Sequence, residues 1–147
     1  MTEEFVTKAI LRYLIDCGWR IVSFDFPHSG TGRALHPCNS RSKNSGVLIP
    51  DVIAVKGDVS VYMENKDHYS PADFNKVHDV LQNRTYADSF RNVLGIKQQS
   101  VIGGIGLPEE CCSRISPDVV ALVDFVLKVG ESGEIGVHYV APGRNIL

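Results

Sequence analysis

The sequence predicts an α/β domain in which a mixed central β-sheet is flanked by helices. Three observations carry that expectation. Residues 2–17 repeat apolar side chains at helical spacing, residues 47–65 alternate as two short strands about a tight turn, and a second helical stripe over 70–82 stands between that hairpin and further β-branched runs. The chain has 147 residues, which fits one domain and suffices to bury a core. Its 44% hydrophobic and 22% charged content is that of an ordinary globular chain.

The first helix is expected over residues 2–17. Thr2 is a suitable N-cap, Glu3 and Glu4 suit the positive end of the helix dipole, and Gly18 stops the helix. Val6, Ile10, Tyr13, Leu14 and Cys17 form its apolar stripe, with Glu3 at the head of that stripe and Glu4 on the Lys8/Arg12 side. Trp19–Phe26 alternates as a strand that Pro27 ends. Residues 27–46 form a long loop rich in Gly, Ser, Asn and Pro. Within it stand Arg33, His36, Arg41 and Lys43, with no acid among them. A structureless stretch of that length in a compact domain points to function. Basic groups interleaved with Ser and Asn suit phosphate contacts and base-edge hydrogen bonds, so these four are candidate DNA contacts if the chain acts on DNA.

The hairpin LIPDVIAVKGDVSVYMENK, Leu48–Lys66, organises the rest. Gly57-Asp58 forms the two-residue loop, because Gly supplies the positive φ that type I′ or II′ turns require. That turn sets Lys56 opposite Val59, and counting back along both strands sets Asp51 opposite Glu64. Side chains alternate along a strand, so Ser60, Tyr62, Glu64 and Lys66 share one face, and Val59, Val61 and Met63 take the other. Two carboxylates and an ammonium on one rigid ribbon can serve a metal ion and a nucleophilic water.

Beyond the hairpin, Ser70, Pro71 and Asp73 suit the start of a helix whose buried stripe is Phe74, Val77, His78 and Leu81. His78 reads as a satisfied core or edge histidine. A further helix is expected over Thr85–Leu94 and a buried strand over Gln99–Ile105. The glycines at 103, 104 and 106 mark either a turn or a close approach of backbones. Pro108–Ser113 suits a short helix bearing Cys111 and Cys112. The β-branched stretch Asp118–Val129 and the segment Glu134–Val140 are expected to pair as a C-terminal hairpin, with 141–147 as a tail. This divides the single domain into a core over about 3–106 and a hairpin over about 118–140.

Composition narrows the function classes. No apolar run approaches the roughly 18 residues of a membrane span, and MTEEFVTK is acidic rather than signal-like. The four cysteines lack C-x-x-C spacing, so reduced thiols in the cytoplasm are expected rather than a zinc site or a disulfide framework. The formal net charge is −2, so any DNA contact must come from a local basic patch.

Pro50-Asp51 followed, after twelve intervening residues, by Glu64-Asn65-Lys66 resembles the motif of the PD-(D/E)XK nuclease superfamily. That superfamily includes restriction endonucleases and Holliday-junction resolvases. The resemblance runs over residues 3–82 in the order helix, strand, loop, Asp strand, Glu-x-Lys strand, helix. It implies a restriction-endonuclease-like core and a metal-dependent DNA endonuclease. Asp51, Glu64 and the backbone carbonyl of Asn65 would bind Mg²⁺, with Mn²⁺ able to substitute. Glu3 would join them directly or through water, in preference to Glu4. Lys66 would orient or help deprotonate the attacking water. A homodimer is implied as well, since duplex DNA has two strands to cut. Two alternatives stand beside restriction-like cleavage. One is a resolvase-like, structure-selective nuclease, suggested by the Gly18-Trp19 turn and the chain's length. The other is a catalytically inactive binding or assembly domain in which Asp51, Glu64 and Lys66 are merely an ion-paired face.

Overall fold

A computed structural model describes residues 1–35, 48–82, 86, 89 and 100–146. Helix α1 spans Glu3–Asp16, capped at its start by the Thr2 hydroxyl, which accepts the Phe5 N–H. Strand β1 is Arg20–Phe24, β2 is Val52–Lys56 and β3 is Val59–Asn65. Helix α2 spans Pro71–Gln82 and strand β4 spans Ser100–Pro108. A 3₁₀ helix at Glu109–Arg114 and a short helix α3 at Pro117–Val120 lead to β5 (Phe125–Val129) and β6 (Ile135–Val140).

The six strands form one sheet in the order β1-β2-β3-β4-β5-β6. Neighbours are antiparallel at β1/β2, β2/β3 and β5/β6, and parallel at β3/β4 and β4/β5. Parallel neighbours require a crossover, which is where α2 and, later, the 3₁₀ helix and α3 enter. The alternation of β2 and β3 divides the core into two apolar layers. On one face Val6, Ile10 and Leu14 of α1 pack on Val52, Ala54, Val61 and Met63. On the other, Phe74, Val77 and Val80 of α2 pack on Ile53, Val55, Tyr62 and Ile105. The expected mixed sheet with flanking helices is therefore what the chain forms.

Several boundaries differ from expectation. β1 stops short of Trp19, whose indole turns inward and donates its N–H to the Ile146 carbonyl at 2.9 Å. The segment 141–146 is thus not a free tail, and Ile146 is buried. Leu35 and Leu48 form an isolated antiparallel bridge, which sets Leu35 beside the start of the hairpin. The glycines of 103–106 lie inside β4 rather than in a turn. There the close-approach alternative holds, since a methyl at Gly104 would overlap the Phe125 ring of the neighbouring strand. The expected strand over Asp118–Val129 is in fact helix, turn and strand. Ser116 caps the Val119 N–H and Pro117 opens α3, leaving only Phe125–Val129 extended. The expected helix over Thr85–Leu94 falls, apart from Tyr86 and Ser89, outside the described residues.

Candidate active site

The β2/β3 register matches the one the turn dictates, from Lys56↔Val59 to Val52↔Met63. The regular ladder ends there: the Asp51 N–H donates to the Met63 carbonyl at 3.1 Å rather than to Glu64, the partner that counting back from the turn gives. Asp51 Oδ2 then accepts the Asn65 N–H at 2.6 Å, tying the two chain segments together at the open end of the hairpin. The Lys66 N–H donates to the Gly106 carbonyl at 2.9 Å, so the backbone of Lys66 is fixed by the parallel neighbour β4. From that anchored position Lys66 Nζ lies 3.7 Å from Glu3 Oε1, 3.8 Å from Glu64 Oε2 and 4.0 Å from Asp51 Oδ2. One ammonium faces three carboxylates drawn from α1, the residue before β2 and the end of β3.

The cluster is shielded from water. The side chain of Glu64 is 1% exposed and that of Asp51 8%, against 19% for Lys66 and 23% for Glu3. A second ammonium enters from α2, with Lys76 Nζ 3.0 Å from Glu64 Oε1. The same oxygen accepts the Tyr62 hydroxyl at 2.6 Å. Burial, and then the neighbouring Glu64, push Asp51 up to about 7, against the opposing pull of the Asn65 N–H and Lys66. Burial disfavours the charged form of Lys66, but Asp51, Glu64 and Glu3 outweigh it and hold the amine more strongly protonated than usual. Burial and Glu64 likewise raise the Tyr62 hydroxyl, which stays a donor. Three carboxyl groups and two ammoniums thus share one shielded place.

A stabilising frame stands behind the cluster. Asn65 turns its side chain to the α1 layer, where Nδ2 donates to the buried Thr7 hydroxyl at 3.2 Å. A methyl on Gly106 would overlap both Ile10 and the Asn65 amide. Only a residue without Cβ lets the end of β3, β4 and α1 meet at this point.

Of the residues singled out from sequence, Asp51, Glu64, Lys66 and Glu3 come together, and Asn65 lies among them. Glu4 instead pairs with Lys8 at 2.5 Å on the exposed side of α1, as its helical position predicts. Arg33 is exposed, and no contact among the described residues joins it to the carboxylates. His36, Arg41 and Lys43 lie outside the described residues. His78 is half-buried with Nδ1 3.2 Å from the Leu122 carbonyl, a structural role. His68 pairs with Asp67 in solvent. Burial, and then Cys111, push the Cys112 thiol up to about 11, so Cys112 itself is held as the thiol near neutral pH.

Sequence reasoning missed Lys76, Tyr62 and Thr7 as parts of the site. Tyr62 had a readable signal, since it precedes Glu64 by two on the same strand face. Lys76 flanks the apolar stripe of α2, and nothing in one helix's periodicity tells which flank meets the end of β3.

Among the described residues no three His, Cys, Asp or Glu side chains are grouped to hold a metal by themselves. The two buried carboxylates suit a cation that keeps much of its water. Mg²⁺ commonly binds through about one or two carboxylates and retains several waters.

No family model, no curated protein and no solved structure matches the chain.

Proposed function

We propose that this protein is a metal-dependent nuclease of the PD-(D/E)XK kind, with a restriction-endonuclease-like core, hydrolysing phosphodiester bonds of DNA. The observation that carries this reading is Lys66 Nζ within 4.0 Å of Glu3, Asp51 and Glu64, two of them almost fully buried. An idle surface would have no reason to hold that arrangement. Exposed ion pairs contribute only about 0–1 kcal/mol, and burying carboxylates costs more than that unless opposite charges and hydrogen bonds offset it. The Asn65 N–H accounts for one Asp51 oxygen, but the inactive-domain alternative gives no use for Lys66 shared among three carboxylates.

The proposed chemistry follows from the donor set. Asp51, Glu64 and the backbone carbonyl of Asn65 would hold Mg²⁺ or Mn²⁺, with Glu3 acting directly or through a water. When bound, such a cation supplies the positive charge that polarises a phosphate oxygen and acidifies a nucleophilic water. Lys66, kept protonated by its three neighbours, donates hydrogen bonds to the attacking water or to the phosphate and offsets the charge that develops there. Asn65, anchored by Thr7, holds the end of β3 in register with Asp51. The 27–46 segment, with Arg33, His36, Arg41 and Lys43, would supply phosphate and base contacts, and a homodimer would bring one site to each strand.

The test is incubation of purified protein with supercoiled plasmid, linear duplex and synthetic four-way junctions, each with Mg²⁺, with Mn²⁺ and with EDTA. Discrete plasmid bands that EDTA abolishes are the expected result. Cutting confined to junctions would place the protein with the resolvases instead. Glu64→Gln and Lys66→Met should each lower the cleavage rate by about a hundredfold or more while the protein stays folded. Undiminished cleavage by either variant, free of contaminating nuclease, would remove the reading.

A further inference from the structure

Glu64 is not presented to the site symmetrically. Its Oε1 accepts the Tyr62 hydroxyl at 2.6 Å and lies 3.0 Å from Lys76 Nζ, while Oε2 is turned to Lys66 at 3.8 Å. A carboxylate oxygen offers about two lone-pair positions, so Tyr62 and Lys76 together fill Oε1. The two holders come from different layers. Tyr62 stands two residues back along β3 and is fully buried, whereas Lys76 reaches across from α2. Exchanging the two oxygens of Glu64 therefore means breaking both contacts. Asp51 is asymmetric as well, since Oδ2 accepts the Asn65 N–H, but with one donor that oxygen keeps a free lone-pair position.

We propose that Tyr62 and Lys76 restrict Glu64 to one coordinating oxygen, Oε2, and thereby make the site selective for a small octahedral dication, Mg²⁺ or Mn²⁺, against Ca²⁺. This deepens the metal-dependent reading above and rests on it. Ca²⁺ gathers about six to eight oxygens and readily takes a carboxylate through both of its oxygens. Mg²⁺ demands near-ideal octahedral geometry at about 2.0–2.1 Å, keeps several waters, and needs only single oxygens from its carboxylates. A glutamate with one oxygen withheld suits the second ion and penalises the first. Tyr62 and Lys76 are positioning residues in this scheme, because each acts through Glu64.

The inference is tested by metal binding on the full chain without DNA. Bound Mn²⁺, followed by electron paramagnetic resonance, is displaced with Mg²⁺ or with Ca²⁺ to give a Mg²⁺-to-Ca²⁺ affinity ratio. The proteins are wild type, Tyr62→Phe, Lys76→Met, the double variant and Lys76→Arg. Removing the Lys76 charge alters both affinities, and the ratio cancels that common effect. The ratio is expected to shift towards Ca²⁺ by about tenfold or more in the double variant, the scale on which partners of metal ligands act. The single variants should fall between, and Lys76→Arg, which keeps charge and donors, should hold the wild-type ratio. Circular dichroism establishes that each variant is folded, and Tyr62→Phe removes only one oxygen atom. A folded double variant with the wild-type ratio, or with equal loss of both ions, overturns this inference and leaves the metal reading standing. A wild-type protein that binds none of the three ions overturns both.

Discussion

Asp51 shows how one residue can be bad for stability and necessary for a site. Burial and Glu64 raise it from an ordinary 3.8 to about 7, so near neutrality the folded protein takes up a proton that the unfolded chain does not. The sign follows directly. This group's contribution favours the fold at low pH, is fully present below the unfolded value, and is lost as pH rises through about 7. Asp51→Asn should therefore raise the melting temperature of the metal-free protein at pH 8, where wild type carries the unfavourable charge, and the gain should vanish towards pH 4. An asparagine oxygen can still accept the Asn65 N–H. Thermal melts in EDTA at the two pH values check this, and the same variant should not cleave DNA. At this scale much was legible: the turn brought Asp51 and Glu64 to the same open end of the hairpin, and helical position separated Glu3 from Glu4. Tyr62 could be placed on the right face but not assigned its hydrogen bond, because the rotamer that carries its hydroxyl to Glu64 depends on packing against α2.

Among the elements, β4 departs furthest from what local patterns suggest. Its glycines read equally well as a turn, yet they sit in a central strand with neighbours on both sides. The reason is lateral crowding: Gly104 is in register with Phe125, whose ring occupies the space a side chain would need. Gly104→Ala should destabilise the protein by about 1–3 kcal/mol through overpacking. Urea denaturation measures this as a lower midpoint at an unchanged slope. The stretch 118–129 misled for a different reason. Its β-branched composition favours a strand, but Ser116 and Pro117 form a capped helix start, and local capping prevailed over propensity. The hairpin was readable because turn chemistry, alternation and register agreed there.

For the molecule as a whole, the class of architecture was visible and the arrangement was not. Strand order and the parallel pairs β3/β4 and β4/β5 depend on how crossovers pack, which no single segment encodes. That arrangement is what sets Lys76 beside Glu64 and Gly106 beneath Asn65. The seating of residues 141–146 was equally hidden, since it rests on distant partners: Ile146 on Trp19 and the α1 layer, and Ala141 and Arg144 on Asp124. Trp19 is the single tryptophan in the sequence and 5% exposed, in the layer between α1 and the sheet. Its fluorescence is consequently a built-in optical gauge of whether the C-terminal segment is seated. Detachment of residues 141–146 would wet the indole and shift its emission to longer wavelength while the sheet still gave its circular dichroism signal. Heating followed by both probes should show the emission change at a lower temperature than the loss of secondary structure, and coincident transitions would mean that this end is released only when the whole fold gives way.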